Sequence, residues 1–279
     1  MNGRGDETAA GARRPPEPAA ALAPVSRWIA SFATVALILA AWEIAARTGL
    51  VIKFLLPPLS EVLARIGTDT LSGKLPYDLA ITLYRTFCGF ALAAVTGVGL
   101  GIWIARNAAV RWFFDPIVSV GLPMPKVALL PLFVIWFGLF DISKILMVAL
   151  SASFQIIIAS WAAARTVEKE LIWSARSLGA GDSQVLREVI LPAAAPRILT
   201  GLQVAMPLCL IVVLITEMTM GGRGLGDSML KSARYVDSVG VFAGIVEIGL
   251  TGFCVIKGME ALRRRLLRWH PETQRVTTV

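Results

Sequence analysis

Six apolar runs divide the chain, at residues 28–46, 79–104, 112–138, 142–163, 198–219 and 239–262, and each approaches or exceeds the roughly 20 residues a helix needs to cross a bilayer. The pattern predicts an all-α polytopic membrane protein with six transmembrane helices. Residues 47–77 follow a different rhythm. Ser60 can cap a helix, Glu61 suits its first turn, and Val62, Leu63 and Ile66 fall at helical spacing, so a short helix on the outer interface is expected there. The third run holds Pro116, Pro123, Pro125 and Pro131, each of which removes a backbone donor. It must be kinked or broken, and it should face the bundle interior, where protein or a water-filled cavity can pair the freed carbonyls.

A polar stretch separates the fourth and fifth runs. Residues 171–178 can form one helical piece, Gly179-Ala180-Gly181 supply a sharp turn, and Asp182 is placed to cap a second piece running to Leu191, where Pro192 stops it. On that second piece Val185, Leu186, Val189 and Ile190 share one face, opposite Gln184, Arg187 and Glu188. Such a helix can pack on its own bundle, lie on lipid, or dock on a soluble partner, and periodicity alone does not choose among the three.

Composition supports the membrane reading. The 279 residues are 56% hydrophobic and only 16% charged, with a mean hydropathy of +0.70, too little charge to cover a soluble exterior. The net charge of +8 does not mark a nucleic-acid partner, because the cations flank the apolar runs. With the N-terminus inside, 16 basic residues fall on cytoplasmic segments and 8 on outer ones, which places both termini and the 171–196 stretch in the cytoplasm. Residues 1–26 lack apolar periodicity and are expected to be a disordered cytoplasmic tail, and 269–279 a second cytoplasmic tail. Between them lie a first span with its external segment, 27–77, and a core of five spans, 78–268. Glu43 and the long polar leader point to a first span that is not a cleaved signal.

Candidate chemistry is sparse. The single histidine, His270, excludes histidine-based catalysis or metal binding, and Cys88, Cys209 and Cys254 each sit inside an apolar run as small core residues. No phosphate-cradling G-x-x-x-x-G-K-[ST] occurs, and Gly97, Gly99 and Gly101 read as close helix packing. The 221–226 run reads as a turn after the fifth span. Charged groups in or beside spans are costly, which singles out Arg85, Lys126, Glu217, Glu247 and Lys257. Arg85, Lys126 and Glu217, with Pro123 and Pro125 of the third run, are candidates to line a pathway through the bundle.

The pattern S-L-G-A, about ten residues, then I-L-P and a second Pro resembles the cytoplasmic coupling loop of ABC importer permeases. Gly179 matches the motif glycine, Leu191-Pro192 and Pro196 its end, while Trp173-Ser174-Ala175 stands where the family has an acidic residue and two alanines. Leu122-Pro123-Met124-Pro125-Lys126-Val127-Ala128-Leu129-Leu130-Pro131-Leu132, Leu56-Pro57-Pro58-Leu59-Ser60, and Glu217-Met218 with Gly224-Leu225-Gly226 are similar to the nitrate, sulfonate and taurine branch. The resemblance covers about residues 50–268. It implies an inner-membrane permease that pairs with itself or a relative, and a periplasmic or lipid-anchored solute-binding protein outside. ATP and Mg would be held by a separate ATPase subunit, with no cofactor in this chain. It further implies that Leu178, Gly179, Ala180, Asp182, Val185, Leu186, Val189, Leu191 and Pro192 form the contact to that ATPase. The rival readings are a secondary transporter and an intramembrane enzyme; the second would need clustered Asp, His or Ser at membrane depth, and the charges here are scattered.

Overall fold

The computed structural model describes residues 24–268, which fold into helices throughout, with no strand among them. The expected tails at 1–23 and 269–279 lie outside the described residues; residues 24–26, expected in the tail, belong to the first helix.

The chain runs through α1 (Pro24–Arg47), α2 (Leu59–Leu71), α3 (Lys74–Arg106) and α4 (Ala108–Gly121), then a tight turn Lys126–Leu129 leading into α5 (Leu130–Phe137). It continues through α6 (Asp141–Arg165), α7 (Lys169–Ser177), α8 (Asp182–Met220), α9 (Leu225–Arg234) and α10 (Ser238–Leu266). Four of these helices, α3, α6, α8 and α10, are long and apolar enough to cross a bilayer, and the bent pair of Ala108–Gly121 and Lys126–Phe137 is apolar enough to do so when taken as one broken span. With α1, 24 residues long, they map onto the six predicted runs.

The third run breaks by 94°. Pro116 is tolerated within α4, Pro123 and Pro125 occupy the break itself, and Pro131 sits in the first turn of α5, where its missing N–H costs nothing. The Lys126 Nζ donates to the Leu122 carbonyl at 2.6 Å, pairing an oxygen that the unwound backbone leaves without a helical donor.

Glu43, the charge inside the first run, reaches across to the start of α2. Its carboxylate accepts from the Ser60 backbone N–H at 3.2 Å and the Ser60 hydroxyl at 2.8 Å, and pairs with Arg47 Nε at 2.6 Å. Ser60 therefore does not cap α2 with its own oxygen, as expected from sequence. It is the second residue of the helix, and a longer acidic side chain from a neighbouring helix takes the capping role.

The bundle is centred on α3, α6 and α8, which pack on one another along their lengths. A stripe of small residues on α3 lets α6 approach closely: a Cβ at Gly89 would stand 2.6 Å from Val148, at Gly97 2.8 Å from Ile156, and at Gly101 2.6 Å from the Ile157 carbonyl. Gly99, grouped with these from sequence, faces open space.

This contrast yields a prediction. Gly101→Val should lower stability by roughly 1–3 kcal/mol through overpacking against backbone, whereas Gly99→Ala should leave it within about 0.5 kcal/mol, measured by thermal unfolding in detergent.

Candidate functional site

Two regions at opposite ends of the bundle hold most of the sequence-predicted site residues. The first is an elbow. α7 ends in a two-bond closure in which the Ala180 N–H donates to the Ala175 carbonyl at 3.1 Å and the Gly179 N–H to Arg176 at 2.9 Å. That closure needs a left-handed residue at its centre, and Gly179 supplies it with φ +87°. Ala175 and Ala180 pack beneath the turn on an apolar cluster of Ile102, Ala163, Val167, Val185, Ile190, Ala194 and Ile198. Val185 and Ile190 are buried and Leu186, Val189 and Leu191 half-buried, as their shared face requires. The tip points the other way: Leu171, Trp173 and Leu178 are 47%, 60% and 87% exposed.

Two details differ from expectation. Asp182 does not cap: Gly181 occupies that position, and the Asp182 carboxylate instead pairs with Arg176 at 2.8 Å across the turn, with Arg106 at 3.9 Å. Pro192 does not stop the helix. Residues Val185–Ile190 widen into a turn in which the Leu191 N–H donates five residues back to Leu186, and this widened register accommodates a proline with no N–H at the next position. The second arm of the elbow and the fifth span are thus one continuous helix of 39 residues, Asp182–Met220.

The second region is a buried charge cluster. Arg85 Nη1 lies 2.7 Å from Glu217, and Arg85 Nη2 and Nε hold Asp141 at 2.6 and 2.9 Å. Glu217 has no exposed surface; it also accepts from the Thr82 hydroxyl at 3.0 Å. These groups grip the loop 221–226. Its carbonyls accept from cations: Gly221 from Lys144 at 2.6 Å, Gly222 from Lys231 at 3.4 Å, Arg223 from Arg85 at 2.6 Å. Its amides donate to oxygens: Gly224 to Asp78 at 3.2 Å, Leu225 to Thr82 at 3.0 Å, Gly226 to Glu217 at 3.1 Å. A Cβ at Gly224 would collide with the Glu217 carboxylate, so the loop must be glycine there.

Of the pathway candidates, Arg85 and Glu217 meet in this cluster. Lys126 lies apart from it, its Nζ 5.1 Å above the Phe154 ring, with Pro123 and Pro125 beside it at the break. Sequence reasoning missed Lys144, only 1% exposed, one of the eight basic residues it assigned to the outer segments. The available signal was its position inside the run 142–163.

A bundle of long apolar helices, one pair of them sharply bent, with an apolar-tipped elbow at one end and a loop held by ion pairs at the other, defines a polytopic membrane protein. The chain belongs to the family of binding-protein-dependent transport system inner membrane components, whose model matches residues 97–268. It is 35% identical to the taurine transport system permease protein TauC of Escherichia coli strain K12 over 90% of this chain and 94% of that one. It is 31% identical to SsuC, a putative aliphatic sulfonates transport permease of Bacillus subtilis strain 168, over 87% and 88%. Among solved structures, the inward-facing MetNI methionine ABC transporter shares the fold, with a TM-score of 0.57 and 18% identity over 69% of this chain and 98% of that one. The chain is accordingly a permease subunit of an ATP-driven importer, multi-pass in the inner membrane and not itself catalytic.

Arg85→Met should strip Glu217 of its buried partner and cost about 3–5 kcal/mol, with part of the loss recovered in Arg85→Met/Glu217→Met. Asp141→Asn, at a half-exposed partner, should cost no more than about 1 kcal/mol. A thermal-unfolding double-mutant cycle measures the coupling, and additive losses would contradict it.

Proposed function

We propose that this subunit imports a small organic anion, a sulfonate such as taurine being the first candidate, and that the elbow at 171–196 carries the motion of a separate ATPase into the bundle. The relatives named for taurine and for aliphatic sulfonates support the substrate class. The observation that carries the coupling role is the elbow itself: a glycine-locked turn, seated on the bundle through buried Val185 and Ile190, presents Leu171, Trp173 and Leu178 to solvent. Apolar side chains of that size on a projecting tip fit a groove on a partner. Trp173 stands in place of the family's acidic residue, so this contact is apolar rather than ionic.

On this reading the elbow and both termini face the cytoplasm, and the sealed loop 221–226 lies outside, where a periplasmic or lipid-anchored solute-binding protein delivers the solute. Two permease copies, identical or related, and two ATPases complete the machine, with ATP and Mg held entirely by the ATPases. Their closure pushes the elbow, and because α8 is continuous from Asp182 to Met220 the push reaches the far end of the span. Arg85 and Glu217 serve the pathway by fixing that far end, and Pro123, Pro125 and Lys126 by keeping the third span open.

Gly179→Val would force a β-branched residue into a left-handed backbone, at about 1–2 kcal/mol locally. ATP-driven taurine uptake should fall to background while the subunit remains inserted. Leu178→Asp, which leaves the fold untouched, should reduce co-purification of the ATPase. Normal uptake in both variants would refute the coupling role.

A further inference from the structure

The loop 48–58 between α1 and α2 presents a concentrated apolar surface. Leu50, Ile52, Phe54 and Leu55 are each more than half exposed within a stretch of six residues. What covers them follows from their depth.

Two spans fix that depth independently. Trp42 of α1 meets Phe242 of α10 with ring centroids 5.6 Å apart. The first apolar run ends four residues after Trp42, at 46, and the sixth begins three residues before Phe242, at 239. At a rise of about 1.5 Å per residue, both place the edge of the hydrocarbon about 5 Å beyond that contact, toward the loop end of the bundle. The chain re-enters below this edge. Trp42 Nε1 donates to the Pro57 carbonyl at 3.0 Å, and the Ser60 hydroxyl donates to Glu43, so residues 57–60 lie level with 42–43. α2 then climbs out, and Arg65 pairs at 3.1 Å with Asp237, which precedes the sixth run. Phe54, three residues from Pro57, can stand no more than about 11 Å from it even in an extended chain. The turn in which Leu55 and Leu56 both donate to the Ile52 carbonyl shortens that reach. Phe54 and Leu55 therefore straddle the edge.

The backbone suits this depth. Pro57 and Pro58 have no N–H to satisfy, Leu55 and Leu56 donate to Ile52 at 2.8 and 3.1 Å, and the Ser60 N–H donates to Glu43 at 3.2 Å. Pro57 and Pro58 are buried against the bundle, whereas Phe54 and Leu55 are not.

We infer that residues 50–58 form a re-entrant lipid anchor, in which Ile52, Phe54 and Leu55 insert among the acyl chains of the leaflet at the loop end, just beneath its headgroups. The anchor calls for no particular headgroup. Its two cations are neutralised from within, Lys53 by Glu61 at 2.7 Å and Arg47 by Glu43 at 2.6 Å, so apolar burial drives insertion and anionic lipid adds little. The Lys53 stem crosses the boundary while its ammonium stays at headgroup level. α2 thus starts beneath the surface rather than lying on it, and the anchor is independent of the solute the bundle carries.

The test uses the assembled transporter in lipid nanodiscs, with Cys88, Cys209 and Cys254 replaced by alanine and a nitroxide attached at Phe54→Cys or Leu55→Cys. Reference labels sit at Val95→Cys, on the exposed apolar face of α3, and at Ser72→Cys, in the exposed turn between α2 and α3. Power saturation compares collisions with oxygen, which concentrates in hydrocarbon, and with a water-soluble nickel chelate. Labels at 54 and 55 should favour oxygen, as at 95, and lose most of the nickel relaxation seen at 72, equally in phosphatidylcholine discs and in discs that also contain phosphatidylglycerol. Nickel relaxation equal to that at 72, or shielding from both reagents, would overturn the anchor, and shielding from nickel only when phosphatidylglycerol is present would overturn its apolar driving force. In the chain with its natural cysteines, Phe54→p-benzoylphenylalanine should photocrosslink to phospholipid. An adduct with a second permease copy or a solute-binding protein in its place would make the loop a protein interface and overturn the inference.

Discussion

Hydrocarbon offers no partner to a backbone N–H or C=O, so every place where this chain leaves the α-helix inside its bundle must bring its own. The architecture follows from how that demand is met. At the break in the third span, Lys126 bends back onto the Leu122 carbonyl. At the base of the fifth span, a widened turn hands the Leu191 N–H to Leu186 so that Pro192 can follow. At 221–226, three carbonyls take cations and three amides take oxygens, drawing α3, α6, α8 and α9 together at one end. The costly buried charges are thus the condition for having irregular backbone at all, and irregular backbone is what gives the bundle a kinked wall and an elbow.

This division sets which parts can move. The loop end is held by Arg85, Glu217 and Lys144, each almost wholly buried, and removing any one leaves another group unpaired. The elbow end is held by apolar contacts and by exposed pairs such as Arg176 with Asp182, which are weak and solvent-screened. A stiff end and a compliant end, joined by one unbroken helix, suit a lever. On the proposed reading displacement enters where restraint is low and passes along α8, which the widened turn at Val185–Ile190 keeps continuous past Pro192.

Much of this was legible in the sequence. The six runs are visible because crossing a bilayer demands length and hydropathy that few other constraints produce, and Gly179 is visible because only glycine adopts a left-handed turn without strain. The prolines announced a kinked or broken third run, and the break falls at 122–125. What sequence obscured are pairings between distant residues. Glu43 reads as an intruder in an apolar run until α2 is placed beside it, and Lys144 reads as an outer-segment cation until residue 221 is brought 77 positions back to it. Pro192 misled for the opposite reason: the local rule that proline ends a helix holds for a regular turn, and here the turn before it is not regular. Resemblance to a family supplied the role of the elbow, which periodicity left open among three readings.

The central claim is that the tip of the elbow is covered by the ATPase and transmits its motion. Amide hydrogen exchange across residues 171–182, compared between the permease alone and the assembled transporter, tests it most directly. Slower exchange in the assembly, strongest at 178–181 and responsive to ATP, is the result predicted. Exchange at these amides that is the same with and without the ATPase would contradict it.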